Sequence, residues 1–309
     1  MKFVIFGAGG TGGILAAYLA LHGEDVTLIA RGQHLAAIQA QGLLLHTEHK
    51  GDLHVPKENL HAMEARDYDE IPDVLFICVK YYALLDAIDF ARRVADKNTL
   101  IIPILNVFGT GAVMQAVLPN LCCLDGCIYV LGHIESPGVI AQPQKILRVL
   151  YGFRPEQLQD LKPKAETLEK VLQAAEIHAH LSENIRRDAL RKFAFVSPMG
   201  AAGLYLHVQS EAFQKPGEAR ELFIGLIKEV EALGTAMEIT FENNLVADGL
   251  KLIDSFKPHL VTSMQRDVEK GKTSEFDGLV RHVVQLAKEY GSSAPLYTKI
   301  AHWGDSKGL

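Results

Sequence analysis

Cysteine is scarce in this chain: four in 309 residues, at Cys78, Cys122, Cys123 and Cys127. They are too few and too clustered for a disulfide scaffold, and their spacing lacks the second pair that a zinc site needs. Buried thiols in a reducing compartment are expected, and no metal. Basic clusters are lacking too. The 31 Lys and Arg against 37 Asp and Glu leave a net charge of −6, and no stretch is dense in cations, which argues against nucleic acid as a partner. With 48% hydrophobic and 22% charged residues the composition is globular, so disordered, collagen-like and heptad-repeat architectures are excluded. Residues 98–124 contain no Asp, Glu, Lys or Arg, yet Pro103, Asn106, Gly109, Gly111 and Pro119 interrupt the run. A buried strand, a turn and a buried helix explain it better than a membrane span. The opening MKFVIFGAGG has four apolar residues before its glycines, too short a run for a signal peptide. A cytoplasmic protein with no membrane partner is expected.

What is present is a change of pattern along the chain. Residues 2–6 read as a strand, 10–21 as a helix closed by Gly23, and 25–29 as a second strand. Near-continuous Val- and Ile-rich runs at 73–79 and 99–105 suit strands covered on both faces of a parallel sheet. Helical patterns at 83–94 and 112–118 accompany them, and 43–46 with 53–56 suggests a hairpin. Further strands are expected at 128–131, 138–141 and 146–151, then a helix at 161–174 and a strand at 177–181. After Ser182 the β signals vanish, and helices are expected at 183–208, 217–237, 258–269 and 274–290. In the last, Phe276, Leu279, Val280, Val283, Ala287 and Tyr290 share one face. The reading is α/β: a Rossmann-type doubly wound parallel sheet over 1–181, followed by an all-helical domain over 182–309.

Gly7-Ala8-Gly9-Gly10-Thr11-Gly12 matches G-x-G-x-x-G, and it follows a strand and opens a helix. There the glycines permit a tight turn and let a pyrophosphate approach backbone N–H groups at a helix N-terminus. The second strand ends in Ala30-Arg31-Gly32 rather than in the acidic residue that would bind the ribose hydroxyl of NAD. Arg31 offers a planar fork suited to a 2′-phosphate, so NADPH is the expected cofactor.

With these residues in place, the chain resembles the ketopantoate reductase (2-dehydropantoate 2-reductase) family. The likeness rests on the glycine loop with Arg31-Gly32, on Val79-Lys80, and on Leu105-Asn106. It continues in Ile134-Glu135-Ser136-Pro137-Gly138-Val139-Ile140 and in Leu190-Arg191-Lys192-Phe193. Thr262-Ser263-Met264-Gln265-Arg266-Asp267 and Glu275-Phe276-Asp277 complete it. The resemblance implies a 6-phosphogluconate-dehydrogenase-like arrangement of Rossmann and helical domains, and NADPH-dependent reduction of a 2-keto acid.

The resemblance also assigns roles. Lys80 lies beside the cofactor and Asn106 contacts both nicotinamide and substrate. Read alone, Lys80 is a surface charge at a strand end and Asn106 a turn residue. Lys192 matches the proton-donating lysine. It precedes residues 193–210, which carry no charged side chain, so it is expected to be partly desolvated. Ser263 matches the serine that holds the substrate carboxylate, and Glu275, twelve residues on, the catalytic glutamate that contacts substrate and cofactor. Read alone, Ser263 is a tolerated mid-helix serine and Glu275 a helix-start carboxylate. His133 falls at a further cofactor contact, made through its backbone. Asp267 orients neighbours. Two family asparagines fall at Val196 and Gly200, and another at Leu260. Fewer hydrogen-bond donors imply a more apolar pocket that discriminates differently among keto acids.

The leading expectation is therefore reduction of 2-dehydropantoate to pantoate. The alternatives are reduction of another apolar 2-keto acid, or a non-catalytic NADPH-binding sensor on the same fold. Retention of Lys192, Ser263 and Glu275 together speaks against the sensor. Expected partners are a small 2-keto acid and, among assemblies left open, a homodimer.

Overall fold

The first apolar run forms β1 (Lys2–Phe6), buried from Phe3 onward, inside a six-stranded sheet. The computed structural model describes all 309 residues. They divide into two units, 1–105 with 109–185, and 106–108 with 186–309. In the first unit β1 leads to α1 (Gly10–Leu21), β2 (Asp25–Ile29), α2 (Gly32–Gln41), β3 (Leu43–Thr47), β4 (Gly51–Val55), β5 (His61–Met63) and β6 (Val74–Ile77). Next come α3 (Leu84–Val94), β7 (Leu100–Pro103), α4 (Thr110–Val117) and β8 (Cys122–Cys123). The sheet order is β5-β2-β1-β6-β7-β8, every pairing parallel. The order reverses between β1 and β6, and ligands of open α/β sheets bind outside the carboxyl ends of the strands at such a switch.

Alternate residues of these strands feed two apolar clusters. Phe3, Ile5 and Phe76 pack with Ile14, Leu15 and Leu19 of α1. Val4, Leu75 and Ile77 pack with Ala87, Ile88 and Ala91 of α3. This burial outweighs local propensity. α1 carries Gly12 and Gly13, each costing about 1 kcal/mol against alanine, whereas each buried Leu or Ile contributes about 1.5–3 kcal/mol.

The first unit continues with β9 (Asp125–Val130), β10 (His133–Ser136), β11 (Val139–Gln142), β12 (Leu147–Gly152), α5 (Lys162–Ala174) and β13 (His178–Leu181). These strands build two smaller sheets, β10-β11-β3-β4 and β13-β12-β9. The expected hairpin is present, with β3 and β4 antiparallel. The strand expected at 128–131 instead begins at Asp125. β10 has no sequence signal because all four of its residues are exposed.

The second unit is all helical: α6 (Ile185–Leu206), α7 (Ser210–Phe213), α8 (Glu218–Ala236), α9 (Leu245–Asp254), α10 (Ser263–Glu269), a π-helical turn (Asp277–Arg281), α11 (His282–Glu289) and α12 (Pro295–Lys307). Two expectations are corrected here. The helix expected from 258 starts only at Ser263, because His259 is left-handed at φ 64° and Thr262 caps the helix. Ser263 is thus its first residue, not a mid-helix one. Tyr290, expected on the buried face, is exposed because α11 ends at Glu289, while Phe276, Leu279, Val280, Val283 and Ala287 are buried. No helix is long and apolar enough to cross a membrane.

Candidate active site

The glycine loop lies at the carboxyl end of β1, and each glycine in it answers a different demand. Gly7 takes φ 113°, a backbone shape that side chains disfavour, and a Cβ there would stand 2.8 Å from Val79 Cγ1. A Cβ on Gly12 would reach 2.0 Å from the Gly7 carbonyl oxygen, so only glycine lets α1 approach β1 this closely. Gly10 is held open by the Gly132–His133 peptide, whose oxygen would lie 2.2 Å from a Cβ. Gly9 differs: nothing stands within 4 Å of where its Cβ would be. It caps α1 without a side-chain hydrogen bond, and the first turn carries no carboxylate. The N-terminus of α1 therefore has open space at Gly9, with Ala8 alongside. This cradle fits a dinucleotide pyrophosphate, with one glycine for the turn, one for ligand approach and one for helix packing.

The neighbouring strand ends carry the other candidate residues of the first unit. Arg31 is exposed, two residues past β2, at the N-cap of α2, whose first turn has no acidic residue. Lys80 is half-buried and follows Val79, the residue that packs at Gly7. It caps the short 3-10 turn Tyr81–Ala83 after β6. The Cys78 N–H donates to the Phe6 carbonyl at 2.8 Å, tying this segment to the base of the loop.

A separate group of candidate residues belongs to the helical unit. Lys192, in the second turn of α6, is only 8% exposed, and its Nζ donates to Asn106 Oδ1 at 2.8 Å. Asn106 belongs to residues 106–108, which follow β7 in the chain but pack with the helices. Two contacts hold the segment: Phe108 and Phe193 have ring centroids 6.3 Å apart, and His282 Nε2 donates to the Phe108 carbonyl at 3.0 Å. Burial pushes the His282 imidazole below its usual range, which keeps it neutral for that bond.

Lys192, Val196 and Gly200 succeed one another at four-residue spacing, so they form one row on α6. At Gly200, about 12 Å along the helix from Lys192, a Cβ would meet Met264 Cε at 3.1 Å, Thr262 Oγ1 at 3.9 Å and Leu279 Cδ1 at 4.0 Å. The start of α10 and the π-helical turn thus pack against the Lys192 row. A capping box sets this start: Gln265 N–H donates to Thr262 Oγ1 at 3.3 Å and Thr262 N–H to Gln265 Oε1 at 2.9 Å. Ser263 follows the cap, half-buried, with its hydroxyl outside that exchange. Glu275 is 3% exposed and stands just before Phe276 and the π-helical turn. Ser197 Oγ anchors the turn by donating to the Leu279 carbonyl at 2.6 Å, and Phe276 is wedged so closely on α12 that a Cβ at Gly304 would lie 2.3 Å from its ring.

Of the residues expected from the sequence, Asn106 and Lys192 are in direct contact. Ser263 and Glu275 lie on elements packed against α6, while Gly7 to Gly12, Arg31 and Lys80 belong to the first unit. Leu260 is half-buried and pinned by its backbone to Ser210. Sequence reasoning misses His282 and Ser197. Neither carries a local signal, since each works through a carbonyl 174 or 82 residues away. The capping box at Thr262 is a signal that marks the true start of α10.

The profile described as ketopantoate reductase PanE/ApbA matches residues 3–152, and that of ketopantoate reductase PanE/ApbA C terminal matches residues 184–303. Among curated proteins, a 2-dehydropantoate 2-reductase of Pyrococcus abyssi is 27% identical over 308 residues, covering 100% of this chain and 97% of its own. A Bacillus subtilis protein described as uncharacterized oxidoreductase YkpB is 25% identical over 303 residues, covering 96% and 95%. Among solved structures, D-mandelate dehydrogenase with NADH and anilino(oxo)acetate shares the fold at a TM-score of 0.87 and 20% identity, covering 99% of this chain and 98% of its own. One family thus accounts for the parallel-sheet unit and the helical unit alike, and the chain belongs to the ketopantoate reductases, nicotinamide-dependent oxidoreductases acting on CH–OH groups.

Proposed function

We propose that the chain reduces a 2-keto acid to the 2-hydroxy acid with NADPH, 2-dehydropantoate to pantoate being the first choice. The observation that carries this reading is the buried Lys192 ammonium held by Asn106. Ketone reduction needs a proton at oxygen, and a cationic group with little access to water is suited to deliver it. When bound, the dinucleotide supplies the hydride to the carbonyl carbon. Lys192 gives its proton to the carbonyl oxygen as the hydroxyl forms, and Asn106 Oδ1 fixes the direction of the amine. Ser263 donates to the substrate carboxylate. Glu275, at the head of the π-helical turn, is the carboxylate that contacts substrate and cofactor. Gly7, Ala8, Gly9, Gly10, Thr11 and Gly12 hold the pyrophosphate, Lys80 lies beside the dinucleotide, and Arg31 holds the 2′-phosphate. The absence of a carboxylate in the first turn of α2 supports NADPH over NADH.

A second reading is favoured by Val196 and Gly200, which share the α6 row with Lys192 and offer no hydrogen bond to a substrate hydroxyl. It makes an apolar 2-keto acid without pantoate's hydroxyl the better substrate. Oxidation of NADPH and of NADH, followed with 2-dehydropantoate, 2-ketoisovalerate and phenylglyoxylate, tests both. Turnover of any of the three with NADPH supports the reductase. A preference for 2-dehydropantoate of about 10⁴-fold, as sites built around a hydroxyl achieve, contradicts the apolar reading. No turnover of any contradicts both.

A further inference from the structure

Two fully buried hydroxyls meet within the helical unit. Ser197 on α6 and Tyr297 on α12 have no exposed surface, and their oxygens lie 2.6 Å apart. Ser197 Oγ also lies 2.6 Å from the Leu279 carbonyl oxygen, which can only accept. The directions follow: Ser197 donates to Leu279, and Tyr297 donates to Ser197. A serine inside a helix that bonds to backbone usually bonds back to its own preceding turn. This hydroxyl instead reaches a carbonyl 82 residues away, beside Pro198, which interrupts the α6 ladder.

Both ends of this relay are fixed. Buried Glu229 of α8 accepts the Leu296 N–H at 2.7 Å and the Tyr297 N–H at 3.1 Å, which ties down the start of α12. At the other end Leu279 belongs to the π-helical turn, where the His282 N–H reaches back five residues to the Asp277 carbonyl. The Leu279 N–H donates to the Glu275 carbonyl at 2.9 Å. Leu279 thus bonds in two directions, through its carbonyl to α6 and through its N–H to Glu275. Ser197 stands five residues beyond Lys192, about 7.5 Å along the same helix.

We propose that Ser197, oriented by Tyr297, is a positioning residue that locks the turn carrying Glu275 to the helix carrying Lys192. The role rests on the reductase reading, in which Glu275 and Lys192 act on one substrate. Both hydroxyls are sealed from solvent, so they act through Glu275 and not on the substrate.

Turnover, melting temperature and amide hydrogen exchange are measured on the wild type, Ser197→Ala, Tyr297→Phe, Glu275→Gln and Ser197→Ala/Glu275→Gln. Ser197→Ala should lose about 10-fold in turnover, the worth of one buried hydrogen bond. Tyr297→Phe leaves the bond to Leu279 in place and should lose about 3-fold. Exchange at residues 275–281 should quicken about 10-fold in Ser197→Ala, while that of α9 stays as in the wild type. In the Glu275→Gln background, Ser197→Ala should cost less than 2-fold further, because the group it positions is already gone. If Ser197→Ala does not fold, Tyr297→Phe, which removes a single oxygen, carries the same cycle with Glu275→Gln. Unchanged exchange at 275–281 overturns the proposal. A loss from Ser197→Ala that is equally large with and without Glu275 overturns it too, since the serine would then serve stability alone. Full turnover in Glu275→Gln refutes the role given to Glu275, and no turnover by the wild type refutes the reductase reading. Both of those results come from proteins with Ser197 intact, which separates them from failure of the positioning role.

Discussion

Lys192 Nζ and Asn106 Oδ1 meet at 2.8 Å, although the two residues are 86 apart in the chain. Asn106 can be there because residues 106–108 leave the strand layer and pack with the helices, clamped at Phe108 by His282 and Phe193. A carboxamide oxygen accepts from an ammonium without adding charge, so it orients the lysine and leaves its proton transferable. On the proposed mechanism this relation makes Asn106 part of the proton donor's geometry.

Asn106→Ala removes one charge-assisted hydrogen bond, about 1.5–3 kcal/mol of restraint on the amine. Turnover should fall about 10- to 150-fold, with the melting temperature nearly unchanged. Steady-state rates and thermal melts on the same preparation check this, and wild-type turnover would show that Lys192 is oriented by other groups.

The glycine loop offers two alanine substitutions with opposite readouts. At Gly9 the added methyl enters open space, so the fold should hold while dinucleotide affinity drops. At Gly12 it would collide with the Gly7 carbonyl at 2.0 Å, and overpacking of this kind costs about 1–3 kcal/mol or more. Gly12→Ala should therefore lower the melting temperature. Equal behaviour of the two variants would contradict the division of labour among the glycines.

Arg31→Ala should weaken NADPH binding by about 1.5–3 kcal/mol, the value of a charge-assisted fork on a phosphate, and leave NADH binding almost untouched. Titration of both dinucleotides into both proteins measures it. Equal affinity of the wild type for NADPH and NADH would sink the NADPH assignment.

Much of the first unit was legible because its signals are local. A strand, a glycine loop and a helix lie within the first 21 residues, and apolar runs mark the buried strands β6 and β7. The burial of Lys192 was legible in the uncharged stretch after it. Its bond to Asn106 was not, since a contact across 86 residues leaves no periodicity to read. His282 looks like an ordinary polar residue of an amphipathic helix, and its bond to the Phe108 carbonyl depends on residues 106–108 packing with the helices. β10 is exposed throughout, so neither alternation nor an apolar run announces it. Ser263 falls mid-helix by periodicity alone, because the periodicity continues upstream of Thr262, the cap at which the helix begins.

His282 also makes acid sensitivity predictable in sign. Burial lowers its pKa in the folded chain, whereas the unfolded chain protonates it near 6.5. As pH falls below about 6.5 the unfolded state takes up a proton that the folded state refuses, so stability declines. Above that pH the contribution is complete. His34, shifted the same way by burial, adds to the effect. Thermal melts between pH 5 and 7.5 should show the decline in the wild type and a shallower one in His282→Gln. Identical slopes would remove His282 from the account.

The central claim is that Lys192 protonates the carbonyl oxygen, and turnover of Lys192→Ala with NADPH and the best 2-keto acid, followed across pH, tests it most directly. The variant should lose about 10²–10⁴ in turnover, the usual share of general acid catalysis, while binding NADPH as the wild type does. Lys192→Arg should fail as well, since guanidinium keeps its proton at any working pH. The wild type should slow on the alkaline side as the amine loses its proton, and Lys192→Ala should lack that limb. Full turnover in Lys192→Ala, or an alkaline limb that survives the substitution, would contradict the mechanism.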